Sequence, residues 1–170
     1  LNETLTVGVA EIKVSANSAT LASFGLGSCV AVAMFDPIRK VGGLAHVMLP
    51  EGRSKPQQSN PGKFADTAVL SLFQELLKLG AKPYSLKCKI VGGAQMFEIP
   101  GSRSGSPDSR GGISSNIGER NVEAVKKALK ELGVPIVAEE TGGNFGRTVR
   151  FNTSTGELEI TSIYHGKVVI

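Results

Sequence analysis

Glycine comes in pairs along this chain, at Gly42-Gly43, Gly92-Gly93, Gly111-Gly112 and Gly142-Gly143, with a further close spacing in Gly25-Leu26-Gly27. A residue without a Cβ is needed where the backbone turns with positive φ or where two backbones approach closely. The pairs therefore ask for a fold with many tight turns and close main-chain contacts. At 21 of 170 residues, glycine stands well above its usual share of about 7%. The glycines have no three-residue period and separate strongly apolar segments, which excludes a collagen-like or low-complexity chain. With 41% hydrophobic residues, a chain of this size buries roughly 70% of its unfolded surface. Residues 1–170 read as one domain. No apolar run approaches the ~20 residues that span a bilayer, and the polar, acidic Leu1-Asn2-Glu3 is unlike a secretory signal. No direct membrane insertion is expected.

Charge is spread evenly. The 19 basic and 15 acidic residues give +4, and neither half of the chain is a basic tail. Lys126, Lys127 and Lys130 alternate with Glu123 and Glu131, which reads as a solvated helix face rather than a nucleic-acid contact. Trp is absent and the two tyrosines are isolated, so no platform for stacking bases is expected. Cys29 and Cys88 are too few for a disulfide framework, and a reducing, cytoplasmic setting is expected. Two His and two Cys without close spacing do not suggest a metal site. No cofactor is called for.

Two amphipathic helices stand out. One carries Phe64, Ala68, Val69, Leu72, Phe73, Leu76 and Leu77, with Pro61 near its start and Gly80 past its end. The other carries Val122, Val125, Leu129 and Leu132, with Asn116 as cap and Gly133 as stop. Short β-branched or alternating runs at 5–14, 20–23, 30–35, 41–49, 86–91, 135–139, 148–152, 158–163 and 167–170 read as strands. Thr155-Gly156 and His165-Gly166 read as tight connections between the last three. The expected fold is α/β in the broad α+β sense: a layered sandwich of mostly antiparallel or mixed sheet, covered by two main helices. Two polar loops, 51–62 and 101–116, are long enough to suggest functional contacts.

Asp36-Pro37-Ile38-Arg39 is a turn signal between the runs 30–35 and 41–49. A hairpin centred between Pro37 and Ile38 pairs residues whose numbers sum to 75 and sets Cys29 opposite His46. Opposed Cβ atoms lie about 4.5 to 5.5 Å apart, within reach of a thiolate–imidazolium contact. Ala31, Ala33, Phe35, Gly42, Leu44 and Met48 share that face, and Val30, Val32, Met34, Val41, Ala45 and Val47 point the other way. Both faces are apolar, so the hairpin is interior. An imidazolium activates a thiol as nucleophile, and Gly25, Gly27 and Ser28 just before Cys29 let main-chain N–H groups approach a developing oxyanion. Gly42 and Gly43 are expected to keep the neighbourhood of the nucleophile small. Free cysteine is also among the most buried residue types, so the residues alone leave a catalytic and a packed Cys29 both open. Cys88 alternates with Leu86 and Ile90 and reads as core, and His165 reads as a structural turn residue.

These residues fall in a recognisable series. Gly25-Leu26-Gly27-Ser28-Cys29-Val30-Ala31-Val32, Asp36-Pro37, Ala45-His46-Val47-Met48-Leu49-Pro50, Lys63-Phe64-Ala65-Asp66-Thr67-Ala68, Gly92-Gly93-Ala94-Gln95-Met96-Phe97, Ile117-Gly118-Glu119-Arg120-Asn121 and Gly142-Gly143-Asn144-Phe145-Gly146-Arg147 occur in order over nearly the whole chain. The series resembles the CheD family, the chemoreceptor glutamine deamidases of bacterial and archaeal chemotaxis. The resemblance implies an α/β sandwich with an active site similar to that of the cytotoxic necrotizing factor deamidases. It implies Cys29 as nucleophile, His46 as base and, six residues before the cysteine, Ser23 where family members usually have Thr. It implies methyl-accepting chemotaxis receptors as protein substrate and the phosphatase CheC as a partner that is bound and stimulated. Two alternatives stay beside it: a non-catalytic adaptor for CheC or receptors, and another cysteine amidase of transglutaminase or peptidase type. Gly92-Gly93 and Gly142-Gly143, lying inside the matching motifs, are expected near the same cleft.

Overall fold

A computed structural model of the chain describes residues 3–52, 60–96 and 116–170. Most of the loop 51–62 and nearly all of 101–116, with Gly111-Gly112, lie outside the described residues. In chain order the strands are β1 (Glu3–Thr6), β2 (Ile12–Ser15), β3 (Ala19–Leu26), β4 (Val30–Asp36), β5 (Val41–Val47), β6 (Lys87–Gly92), β7 (Ile136–Thr141), β8 (Arg147–Asn152), β9 (Leu158–Ser162) and β10 (Gly166–Val169), with helices α1 (Ala65–Lys78) and α2 (Ile117–Leu132).

The strands form two five-stranded sheets, ordered β1-β3-β8-β9-β10 and β2-β5-β4-β6-β7. Both are mixed, because β1 runs parallel to β3 and β6 parallel to β7 while the other pairs are antiparallel. The second sheet is the middle layer. Its even-numbered β4 residues Val30, Val32 and Met34, with Val41, Ala45 and Val47 of β5, meet Leu72, Leu76, Val125 and Leu129 of the helices. Its other face, Ala31, Ala33, Phe35 and Leu44, meets Leu21, Val149, Phe151 and Leu158 of the first sheet. Strand faces alternate with period two, so a hairpin apolar on both faces belongs in the middle of a three-layer α/β/β sandwich. The layered architecture and the division of the two faces agree with the reading from sequence.

The helix boundaries follow their signals. Asn116 accepts the Glu119 N–H at 3.1 Å, Gly133 ends α2 in the left-handed region, and α1 stops just before Gly80. Cys88 is fully buried with Leu86 and Ile90, and burial pushes its thiol far up. His165 lies in the β9–β10 turn, its ring tilted against that of Phe145 with the centroids 4.4 Å apart. Lys126 pairs with Glu139 at 2.9 Å, as a solvated helix face would. Among the described residues no helix is long and apolar enough to cross a membrane.

The run 5–14 is two strands rather than one. β1 belongs to the first sheet and β2 to the second, so Val7 to Glu11 carry the chain from one layer to the other. Ala10 turns with φ of 64°. Its N–H donates to the His46 carbonyl at 2.9 Å, and the His46 N–H donates to the Glu11 carbonyl at 3.0 Å. The crossing therefore runs directly along the strand that carries His46.

Candidate active site

The β4–β5 register differs from the sequence reading by two residues. Ala31 stands opposite His46, and Asp36 opposite Val41. The cause is Asp36, whose carboxylate accepts the N–H groups of Ile38 and Arg39 at 2.9 and 3.1 Å and holds a four-residue loop closed by Lys40 at φ of 55°. A loop centred one position earlier would have set Cys29 opposite His46, because each one-position step of the centre moves the pairing by two. A shift of two preserves side-chain parity, so Cys29 remains on the face of Ala31 and His46, one diagonal step from the histidine. Diagonal neighbours are about 7–8 Å apart at the backbone and within reach of a ring side chain. Cys29 itself precedes the strand and is half-buried at the edge of the inter-sheet core.

The turn that presents Cys29 is held by main-chain hydrogen bonds. The Gly27 carbonyl accepts from Ala94 N at 2.9 Å, and the Cys29 carbonyl accepts from Gly93 N at 2.8 Å. Gly92 makes the second contact possible: a Cβ there would lie 2.3 Å from the Cys29 carbonyl oxygen, at a φ of 114°. Gly142 N donates in turn to the Gly92 carbonyl at 2.9 Å, so the pairs 92–93 and 142–143 do gather beside the turn that presents Cys29. Gly42 and Gly43 do not. They pair with Phe35 and Met34 at the far end of the hairpin and admit the Thr153 backbone and the side chains of Leu72 and Val14. Their role is core packing.

His46 is buried. Its Nδ1 lies 3.4 Å from the carbonyl oxygen of Val7, and its Nε2 is buried with no hydrogen-bond partner among the described residues. Ser23 is fully buried on β3, and its hydroxyl donates to that same Val7 carbonyl at 2.7 Å. Ser23 thus meets His46 through Val7 rather than directly. Val7 went unnoticed in the sequence because a carbonyl is common to every residue. Its place depends on the crossing between sheets, which the unbroken reading of 5–14 concealed.

The electrostatics favour neutral partners. Burial raises the Cys29 thiol above its ordinary range. Burial also lowers His46, with the Val7 carbonyl and the Glu11 charge opposing. Both directions favour a thiol beside a neutral imidazole over the ion pair expected from sequence. Such a pair can relay a proton as bond formation begins. Gly25, at φ of 65°, also lines a cavity of about 350 Å³ with Phe145, Arg147 and Tyr164, adjacent to the turn. In its wall, Arg147 stacks on Phe145 at 4.2 Å and pairs with Glu140.

A family model described as CheD chemotactic sensory transduction matches residues 48–162. Cys29, His46 and Ser23 fall outside that range but inside the alignments to individual relatives. A probable chemoreceptor glutamine deamidase CheD of Caldanaerobacter subterraneus is 48% identical over 95% of this chain and 94% of its own length. The chemoreceptor glutamine deamidase CheD of Thermotoga maritima is 48% identical over 95% and 93%. That of Halalkalibacterium halodurans is 44% identical over 98% of both. With a family match over most of the chain and relatives this similar from end to end, the protein belongs to the CheD family.

Proposed function

We propose that the protein hydrolyses glutamine side-chain amides of chemoreceptors to glutamate through a thioester on Cys29. The observation that carries this reading is the buried, unpartnered Nε2 of His46 on the face shared with Cys29, with its other ring nitrogen at the Val7 carbonyl. The names of the relatives support the substrate class.

In the first half-reaction Cys29 Sγ attacks the amide carbon as its proton passes to His46 Nε2. Main-chain N–H groups of the Gly27–Cys29 turn, with Gly25 and Ser28 shaping it, receive the negative charge on the amide oxygen. As the tetrahedral species collapses the C–N bond breaks, and the imidazolium returns its proton to the departing nitrogen as ammonia. In the second half-reaction water attacks the thioester carbon and gives a proton to His46. The C–S bond breaks, and the sulfur takes that proton back, leaving a glutamate carboxyl. Ser23 acts on His46 through the Val7 carbonyl that both approach. No cofactor enters either half.

Product identity tests the reading. Mass spectrometry of a chemoreceptor cytoplasmic fragment after incubation is expected to give glutamine converted to glutamate, site by site, with an intact backbone. Peptide cleavage or an amine cross-link would instead assign the peptidase- or transglutaminase-type chemistry. The family resemblance further implies that the protein binds and stimulates CheC. Cys29→Ala is expected to retain that binding.

A further inference from the structure

Asn121 is fully buried on the second turn of α2, and its amide reaches the open end of the β4–β5 ladder. The last rung of that ladder is Val30 opposite Val47. Beyond it the strands part, one toward the nucleophile turn and the other away from His46. Asn121 Nδ2 spans the gap, donating to the Ser28 carbonyl at 2.9 Å and to the Met48 carbonyl at 3.0 Å. Both neighbours are acceptors, so the direction of the amide is determined. Its Oδ1 is buried without a partner among the described residues, and the side chain is held there by its two donors.

Three successive carbonyls around the nucleophile, those of Gly27, Ser28 and Cys29, are each fixed by a donor. Main-chain N–H groups hold the first and third, and only the Ser28 oxygen depends on a side chain. The Ser28 C=O and the Cys29 N–H belong to one planar peptide and point in opposite directions. Gripping the oxygen therefore aims the N–H. The helix that carries Asn121 is itself docked without slack, since a Cβ at Gly118 would lie 2.4 Å from the Ala94 carbonyl oxygen and 2.6 Å from that of Gly93.

We infer that Asn121 is a positioning residue, whose amide sets the Ser28–Cys29 peptide so that the Cys29 N–H meets the oxyanion. The inference rests on the proposed nucleophilic role of Cys29. Its test separates oxyanion chemistry from thiol reactivity. Asn121→Ala is expected to lower the kcat for receptor deamidation at least ~10-fold with KM little changed, toward the loss of ~10²–10³ seen when an oxyanion donor is removed. Alkylation by iodoacetamide forms no oxyanion, and with Cys88 fully buried it reads Cys29 alone. Its rate is expected to stay at the wild-type value. Asn121→Asp, which keeps the volume and loses donors, is expected to give the same split. An unchanged kcat, a parallel fall of kcat and alkylation, or loss of the fold in both variants would overturn the inference. Cys29→Ala, assayed alongside, keeps the two claims apart. Deamidation by that variant removes the nucleophile reading itself, whereas an inactive Cys29→Ala beside fully active Asn121 variants removes only this inference.

Discussion

At the scale of the residue, burial of His46 sets what the proposed mechanism requires of pH. Burial lowers its pKa more than the Val7 carbonyl and the Glu11 charge raise it, so the imidazole stays neutral below its usual titration range near 6.5. A general base must be unprotonated. The acid limb of kcat/KM is therefore expected below pH 6.5, and Glu11→Gln, which removes the opposing charge, should move it further to acid. A limb at or above 6.5 that ignores Glu11 would contradict this. The Val7 carbonyl accepts the Ser23 hydroxyl at 2.7 Å and faces His46 Nδ1, so in the proposed mechanism the hydroxyl steadies the group that orients the base. Ser23→Ala is expected to lower kcat roughly 10-fold through misorientation, while Ser23→Thr, which retains the hydroxyl, keeps it. Comparing kcat for the two variants at one temperature checks the point.

At the scale of the element, Asp36 shapes the hairpin that carries the site. It is fully buried, which alone would raise its pKa. Hydrogen bonds from Ser85, Lys82, Arg39 and Ile38 outweigh burial and hold the carboxyl at about 2. A carboxylate with a depressed pKa stabilises the fold above its unfolded value near 3.9 and loses that contribution as pH falls toward 2. The difference is worth about 2 kcal/mol. Asp36→Asn sets an NH₂ group where donors converge, and should cost roughly 2–4 kcal/mol by denaturant unfolding, with stability between pH 4 and 2 less steep than in the wild type. The same residue explains why the register was misread. Asp36-Pro37 marked a turn correctly, but its length depends on how many N–H groups the carboxylate collects, and that is a property of the folded loop. The side-chain faces survived the error because the slip was even.

At the scale of the whole molecule, what was legible was what periodicity records. The two helices, the middle-layer hairpin and the core position of Cys88 all follow from spacing and burial of apolar side chains. The crossing at Val7 to Glu11 was not legible, because Val7, Val9, Ile12 and Val14 keep the run β-branched while it changes sheets. Asn121 stood inside a motif noticed for its resemblance. Its two acceptors lie 93 and 73 residues away in the chain, a contact created by docking α2 against the sheet end. The candidate site is thus assembled by layers: β3 brings Ser23, the crossing brings Val7, the middle sheet brings Cys29 and His46, and α2 closes the end. In the proposed reaction this assembly makes Cys29 the nucleophile. The most direct measurement is the rate of glutamine deamidation in a chemoreceptor fragment by wild type and Cys29→Ala. A fall of at least ~10³-fold, as loss of a nucleophile produces, with fragment binding retained, is the predicted result. Turnover by Cys29→Ala near the wild-type rate would contradict it.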